Sequence, residues 1–469
     1  MTLQISDTLT GQKKPFVPLE AGKVRMYVCG PTVYADAHIG HAMSAIVFDV
    51  IRRYLEFSGY DVKHVQNFTD VDDKIIQRAA TLGISPDELA QRMIDDWHDE
   101  TAELNILPAS HYPRATLEMP TILSMIEGLI AEGNAYAVLD GDVYYRVGSF
   151  EGYGKLSHRD VEQMMPGARI DVDPDKEDAM DFVLWKRAKP GEPAWESPWG
   201  PGRPGWHIEC SAMIYNHLGG RIDIHGGGAD LIFPHHENEI AQSEAYTHHP
   251  PMANFWVHNG LLQLGGEKMS KSIGNLVSIH QLLEAGDGQA FRFLVLNSHY
   301  RNPLVFNEET LESARRGLTR MATAVRDFDP ESEPSEPPAH ILSEVAARAE
   351  ESFRQAMDDD FNTPVALASL FELARAINRE EDAGAPGEAI NWAQAKLVKL
   401  ASVLGLTLRE DTDASHGDIA PFVELLLDVR RQLRERKQWD LADSIRDQLE
   451  AIGLRLEDTP AGTMWRKGS

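Results

Sequence analysis

The sequence predicts an α/β protein: a Rossmann-type parallel sheet interrupted by an insertion, then an α-helical bundle and a small C-terminal module. Three observations carry that prediction. Arg25 to Cys29 is a short apolar run stopped by Gly30-Pro31, and Ala42 to Phe57 follows with Ile46, Val47, Val50, Ile51, Tyr54 and Leu55 at helical spacing. Asp61 to Phe68 then reads as a second strand after Gly59, completing a β-α-β start. Strand-like runs return after residue 205, and helical periodicity dominates from Ile341 to Leu404.

Taken in order, the run from Asn67 to Lys74 leaves the second strand and opens another helix, and Pro86 to Leu104 is helical. Residues 107–204 fit an insertion into the sheet. It holds the helical run MPTILSMIEGLIAEG, the hairpin-like YAVLDGDVYYRV, a polar, flexible-looking tract from Gly154 to Asp181, and a Gly/Pro-rich stretch from Pro190 to Gly205. Arg221 to His225 reads as a strand followed by a turn at Gly226-Gly227-Gly228. Phe233 to Glu237 enters a helix that lasts through Ala245, and Phe255 to His258 is one more strand. Ala285 to about Arg326 reads as helical. Asp329 to His340 and Asp411 to Asp418 are polar linkers, and Phe422 to Ser469 forms the terminal module. The resulting boundaries are 1–106 and 205–284 for the two halves of the sheet domain, 107–204 for the insertion, 285–330 for a helical region, 331–410 for the bundle and 411–469 for the module.

With 469 residues, 42% hydrophobic and 25% charged, the chain is an ordinary globular protein of several domains. The N-terminal run MTLQISDTLTGQKK lacks an apolar core of signal-peptide length, and no window approaches ~18 uninterrupted apolar residues. The expectation is a cytoplasmic protein with no membrane partner, acting as a monomer. The net charge of −28 is the wrong sign for a protein drawn to nucleic acid by its overall field, so any contact with RNA must use local cations. The module from Phe422 onward is more balanced, with nine basic and nine acidic residues.

The chemistry concentrates in two short motifs. His38-Ile39-Gly40-His41 lies where the first strand hands over to a helix N-terminus, a place where backbone N–H groups and the helix dipole favour an anion. Lys268-Met269-Ser270-Lys271-Ser272 follows the flexible approach Gly265-Gly266 and offers two mobile cations. The tetrapeptide alone is a weak signal, whereas the pair in this order is strong. The only two cysteines are Cys29, beside the first motif, and Cys210, and a reducing compartment argues against a disulfide between them. His235 and Glu239 stand at i and i+4. Spacing leaves two readings of that pair: an exposed helical contact, or a zinc set completed by the two thiols.

The motifs MYVCGPTVY, HIGHAM, NFTDVDDKI, GRPGWHIECSAM, DIHGGGADLIFPHHENEIAQSEA and GEKMSKSIGN, with MDDDFNTPVAL and LEDTPAGTMWR further on, resemble the cysteinyl-tRNA synthetases of class I over nearly the whole chain. The resemblance implies a catalytic sheet domain, a connective insertion, a stem-contact region, a DALR-like bundle and an anticodon-binding module. It implies activation of L-cysteine by ATP and transfer to tRNA(Cys). It also implies one zinc ion on Cys29, Cys210, His235 and Glu239, and Mg2+ accompanying ATP. By the same resemblance ATP meets His38, Gly40, His41, Gly226, Gly227, Asp230 and Lys271, with His38, His41, Lys268 and Lys271 catalytic. Gly30, Thr69, Trp206 and His225 border the amino-acid pocket, and His207, His225 and His236 tune the metal's surroundings. In the module, Arg434, Trp439 and Asp458 are candidates to contact RNA bases, Trp439 alternatively anchoring the module's core. A homologous ligase that joins cysteine to an amino-sugar inositol shares the site but lacks the terminal module, which is present here. A non-catalytic RNA-binding relative is the other alternative, and the intact motifs argue against it.

Overall fold

The computed structural model describes residues 2–159, 175–265, 267–268, 277–408, 420–436, 438–451, 454–459 and 462–467. They form two compact units, Met1–Thr407 and Leu408–Ser469. The first unit opens with a hairpin, β1 (Gln4–Asp7) and β2 (Gln12–Pro15), whose Asp7 carboxylate is fully buried and accepts the backbone N–H of Trp256. The β-α-β start follows as β3 (Lys23–Val28), α1 (Ile39–Phe57) and β4 (Asp61–Gln66). Two helices come next, α2 (Asp73–Leu82) and α3 (Pro86–Glu103). Ser85 caps α3 by accepting the Glu88 N–H, with Pro86 pre-set at the first helical position.

The insertion contributes α4 (Met119–Ala131) and the short strands β5 (Ala135–Ala137), β6 (Val143–Tyr145), β7 (Phe182–Arg187) and β8 (Gly202–Pro204), which form their own antiparallel sheet. Of its tract from Gly154 to Asp181, residues 160–174 lie outside the described residues. The main domain resumes with α5 (Trp206–Leu218), β9 (Ile222–Gly228), α6 (Glu237–Thr247) and β10 (Ala253–Asn259). Its sheet has the order β10-β9-β3-β4 with every pair parallel, the arrangement expected of right-handed crossovers through helices.

Two expectations are corrected here. Gly226 to Gly228 do not turn: β9 runs straight through them and pairs with Val257, His258 and Asn259. The glycines are there because of what faces them. A Cβ on Gly226 would stand 2.2 Å from the Phe48 ring of α1, and one on Gly227 would stand 2.9 Å from both His236 and Leu231. Nor is the region from Ala285 to Arg326 helical throughout. After β11 (Leu262–Leu264), β12 (Glu267–Lys268) and α7 (Ile279–Glu284), the helices α8 (Gly288–Leu296) and α9 (Glu308–Thr323) are separated by β13 (Leu304–Phe306), which pairs in parallel with β11. That pairing supplies partners to backbone groups which a continuous helix would have satisfied internally.

The bundle is α10 (Ile341–Asp358), α11 (Thr363–Asp382) and α12 (Gly387–Val403). A buried ion pair ties it to the sheet domain. Arg292 of α8, fully buried, donates to Asp49 of α1 at 2.8 Å, to the carbonyls of Leu104 and Asn105 at 2.8–3.1 Å and to that of Leu404 at 3.2 Å. Arg53 supplies the second cation to Asp49 at 2.9 Å. The second unit holds α13 (Ala420–Glu435), α14 (Trp439–Ala451) and the hairpin β14 (Leu454–Thr459) with β15 (Gly462–Lys467), around Val423, Leu449, Leu454 and Leu456. The second polar linker, Asp411 to Asp418, lies outside the described residues.

Breaking a buried pair strands its partners, so Arg292→Met should lower unfolding stability by about 3 kcal/mol or more. Urea titration of the variant checks this, and a shift below about 1 kcal/mol would show the cluster to be dispensable.

Candidate metal centre and nucleotide-binding loops

The site lies at the C-terminal edge of the parallel sheet. Cys29 follows β3 directly and its N–H donates to the Gly226 carbonyl at 3.1 Å, which fixes the thiol against β9. Cys210 projects from the first turns of α5, Glu239 from the first turn of α6, and His235 from the single wide turn at Ile232–His236 that leads into it. Their candidate ligand atoms all lie within 4.8 Å of one another. The structure therefore brings together the four residues proposed from spacing and resemblance.

The individual distances test whether zinc would fit. Two sulfurs held at ~2.3 Å from one tetrahedral ion are about 3.8 Å apart, and a sulfur and an oxygen about 3.6 Å. Here Cys29 Sγ is 3.8 Å from Cys210 Sγ and 3.6 Å from Glu239 Oε1. His235 Nε2 is 3.1 Å from Glu239 Oε1, somewhat tighter than a tetrahedral edge. Cys29, His225, His236 and Glu239 form a second, overlapping set within the same distance. We assign the ligands to the first set because it holds both thiols. His225 Nε2 is turned to the other carboxylate oxygen, Glu239 Oε2, at 2.8 Å, and His236 Nε2 faces Cys29 Sγ at 3.3 Å from behind the first set.

The surrounding histidines behave as outer partners of such a site. His207 Nδ1 contacts His235 Nδ1 at 2.9 Å, orienting the ring whose other nitrogen faces the cluster, and Trp206 stacks on the same ring at 4.1 Å. His258 continues from His236 to the Thr8 hydroxyl at 2.8 Å, a contact that sequence reasoning missed. The alternation of WVHN in a strand, which turns Trp256 and His258 to the same face, is the signal that could have found it.

Burial sets the protonation. It pushes the Cys29 thiol well above its ordinary range, with Cys210 and Glu239 acting in the same direction. The hydrogen bond with Cys29 pulls the Cys210 thiol down, but burial and Glu239 outweigh it and the thiol is raised. Burial drives His235 and His236 well below their usual value, helped by the neighbouring imidazoles. The imidazoles are thus already neutral, as ligation requires, whereas the thiols need a nearby cation to give up their protons.

Gly30 holds the loop beyond Cys29 in close contact with β4. Its N–H donates to Asn67 Oδ1 at 2.9 Å, and a Cβ would fall 1.7 Å from the Asn67 carbonyl oxygen. Thr69 is buried and donates to Glu209 at 2.8 Å, beside Cys210. His225 is fully buried and stacks on Trp256, and Trp206 stays partly exposed.

His38 is the N-cap of α1 and His41 its third residue. His41 Nδ1 accepts the His38 N–H at 3.3 Å, the His41 N–H returns to the His38 carbonyl at 2.8 Å, and the rings stack at 3.7 Å. The loop is also stitched to the chain leaving the second motif: Ile39 N–H donates to Val277 O at 3.1 Å and Ile279 N–H to Ala37 O at 2.9 Å. Gly40 sits in the first turn of α1 and Asp230 is exposed beyond Gly228. Lys268 has its backbone in β12, and Lys271 lies outside the described residues. In the second unit the Arg434 guanidinium lies over the Trp439 ring at 5.9 Å. Trp439 is 52% exposed, so it is not the anchor of that unit's core. Asp458 pairs with Thr463 in the hairpin register.

The family model described as tRNA synthetases class I (C) catalytic domain matches residues 15–316, and that of the DALR domain residues 352–409. The Cysteine--tRNA ligase of Dehalococcoides mccartyi is 54% identical over 99% of both chains, and that of Desulfitobacterium hafniense 48% identical with the same coverage. Among solved structures, Mycobacterium tuberculosis methionyl-tRNA synthetase in complex with methionyl-adenylate superposes with a TM-score of 0.58 at 18% identity, covering 81% of this chain and 89% of its own. A putative arginyl-tRNA synthetase from Campylobacter jejuni gives 0.56 at 12%, covering 84% and 95%. These two likenesses concern the fold.

Two outcomes are expected. Zinc added to the metal-free protein should bind one equivalent and release about two protons from the thiols, measured by calorimetry in buffers of different ionisation enthalpy. Cys210→Ser should abolish that uptake; unchanged metal content in the variant would remove Cys210 from the site. Burial also pushes His64, His207 and His258 down to about 3, so the folded, metal-free chain refuses protons that the unfolded chain takes up near 6.5. Its stability should therefore hold above pH 6.5 and fall as pH drops from 6.5 toward 3. Thermal unfolding across that range is the check, and a flat profile would contradict neutral burial.

Proposed function

The chain belongs to the cysteine–tRNA ligases among the class I tRNA synthetases, and on that premise we propose that it activates L-cysteine with ATP and transfers it to the 3′ end of tRNA(Cys). The observation that carries this reading is the pair of sulfurs 3.8 Å apart, joined by His235 and Glu239, within one loop of the His38–His41 helix start. No helix among the described residues is long and apolar enough to cross a membrane, and the cytoplasm is where such an enzyme would meet its tRNA.

Cys29, Cys210, His235 and Glu239 would hold zinc. When bound, zinc supplies a soft Lewis acid that favours a thiolate over serine's hydroxyl, a discrimination that an apolar pocket limits to ~1–3 kcal/mol. Gly30, Thr69, Trp206 and His225 would seat the rest of the amino acid, Gly30 by letting the backbone approach closely.

ATP brings its own Mg2+. The positive end of the α1 dipole, with the His38 and His41 side chains, would receive its phosphates, while Gly226 and Gly227 leave room beside the strand for the nucleoside and Asp230 meets the ribose. The cysteine carboxylate attacks the α-phosphorus and breaks the bond to the β-phosphate oxygen, giving cysteinyl-adenylate and pyrophosphate. Lys268 and Lys271 neutralise charge building on the leaving pyrophosphate. The terminal ribose hydroxyl of the tRNA then attacks the adenylate carbonyl, and AMP leaves. The enzyme forms no covalent bond in either step; it works by positioning and charge.

Arg434, Trp439 and Asp458 are the residues we assign to the anticodon. The cation stacked on an exposed indole supports this, because unpaired bases are read by stacking and edge contacts. Transfer to an amino-sugar inositol is not favoured, since the relatives match the chain through this terminal unit.

Charging of total tRNA tests the reading: cysteine should be attached and serine not, and chelation of zinc should abolish activity. Charging with both amino acids, or indifference to chelation, would overturn it. Lys271→Ala should slow adenylate formation by about 100-fold, the size expected for one electrostatic donor, while cysteine binding stays near the wild-type level. Equal losses in rate and binding would refute its action on the phosphates.

A further inference from the structure

The face of α6 opposite the metal ligands carries an arrangement that the reaction does not use. Along α6, residue 237 lies about 200° from residue 239, so Glu237 looks away from that ligand. It is a fully buried carboxylate with no cation within ion-pairing distance among the described residues. Its hydrogen bonds come from the insertion. Leu156 N–H reaches Oε2 at 3.2 Å and Oε1 at 3.3 Å, and Ser157 N–H reaches Oε2 at 2.8 Å.

The same turn grips the helix at further points. Tyr153 donates its hydroxyl proton to Asn238 Oδ1, and the Lys155 ammonium meets Glu244 Oε2 at 2.5 Å. Tyr145, from the strand before it, donates to the Ala241 carbonyl at 2.9 Å. Arg159 lies over the Phe233 ring at 5.4 Å, at the wide turn that carries His235. On the other side of α6, Gln242 donates to His207 O and Ser211 Oγ, both at 3.0 Å, and so ties the helix to α5 and Cys210. The helix is therefore held between the insertion and the metal ligands. Burying a carboxylate away from any cation is costly, and an apolar residue would fill the space more cheaply. What Glu237 adds is a fixed position for the first turn of α6.

We propose that Glu237 is a positioning residue that, by accepting the N–H groups of Leu156 and Ser157, holds His235 and Glu239 at ligating distance, so that the insertion sets the metal geometry and through it the selection of a thiol. The inference rests on the zinc reading given above. Tightening or loosening the turn at 153–159 changes the spacing of two of the four ligands without touching either. In Glu237→Gln an amide oxygen at the Oε2 position still accepts both N–H groups, but the negative charge is lost and the amide NH2 at the Oε1 position faces the Leu156 N–H 3.3 Å away, donor against donor.

Cobalt(II), added alone to the metal-free full-length protein, is the probe, because the intensity of its visible bands reports tetrahedral geometry independently of catalysis. Wild type should bind one equivalent with an intense spectrum; if it binds none, the zinc reading fails and the clamp is not at issue. Given wild-type binding, Glu237→Gln should weaken cobalt affinity by about 10- to 100-fold, the range seen when outer partners of metal ligands are lost. It should also dim the bands and narrow the cysteine-over-serine preference in ATP–pyrophosphate exchange. Leu373→Ala, a core truncation in the bundle chosen to lower thermal stability, should leave cobalt affinity and spectrum as in wild type. If Glu237→Gln does not fold, Tyr153→Phe combined with Lys155→Met loosens the same turn without altering α6 and should weaken cobalt in the same direction. Wild-type affinity and spectrum in whichever of these variants folds would overturn the proposal, as would an equal loss in Leu373→Ala.

Discussion

Two sulfur atoms 3.8 Å apart, from residues separated by 181 positions, are the constraint that the first unit answers to. Neither cysteine can be placed alone. Cys29 is set by the parallel register of β3 on β9, where Val28 faces Gly226, and Cys210 by the docking of α5 on α6. A shift of one residue in that register would turn Cys29 to the other face of the sheet. Much of the buried polarity of the domain serves the same end. Asp7 holds β1 to β10, Asn67 holds the loop after Cys29, and the histidines orient one another around the cluster.

The electrostatics follow from burial more than from net charge. In a chain carrying −28 the acids outnumber the cations, yet the two proposed centres are local: neutral imidazoles beside raised thiols, and the N-terminus of α1. Arg292 and Asp49 act at a distance from both. They fix the middle of α1 to α8 and to the end of the bundle, so the helix that begins with His38 and His41 is anchored far from its functional end.

How much of this was legible in the sequence varies with the physics of each part. Helices with their own caps were plain: Ser85-Pro86 announces α3, and the apolar stripe of α1 needs nothing from outside. The four ligands were reachable because cysteine is scarce and the motifs are specific. The strand through Gly226–Gly228 was not, since three glycines signal a turn unless one knows that Phe48 and His236 occupy the space their side chains would need. β13 is three residues long and exists only because β11 lies beside it. Glu237 reads as one more surface acid on a polar helix; only the returning turn of the insertion shows it to be buried.

The pairing of Cys29 with Glu239 spans 210 residues, and this separation has a meaning for how the protein is made. At a synthesis rate of ~5–20 residues per second, Cys29 leaves the ribosome on the order of ten to forty seconds before the last of its partners exists. For that interval its thiol belongs to a nascent chain with no fourth ligand to close around an ion. The four-residue cluster is thus a late event of biosynthesis, completed only when α6 has been translated and folded. On the zinc assignment proposed above, the supply of the ion and of reducing equivalents during translation, and not only afterwards, decides whether the cluster closes.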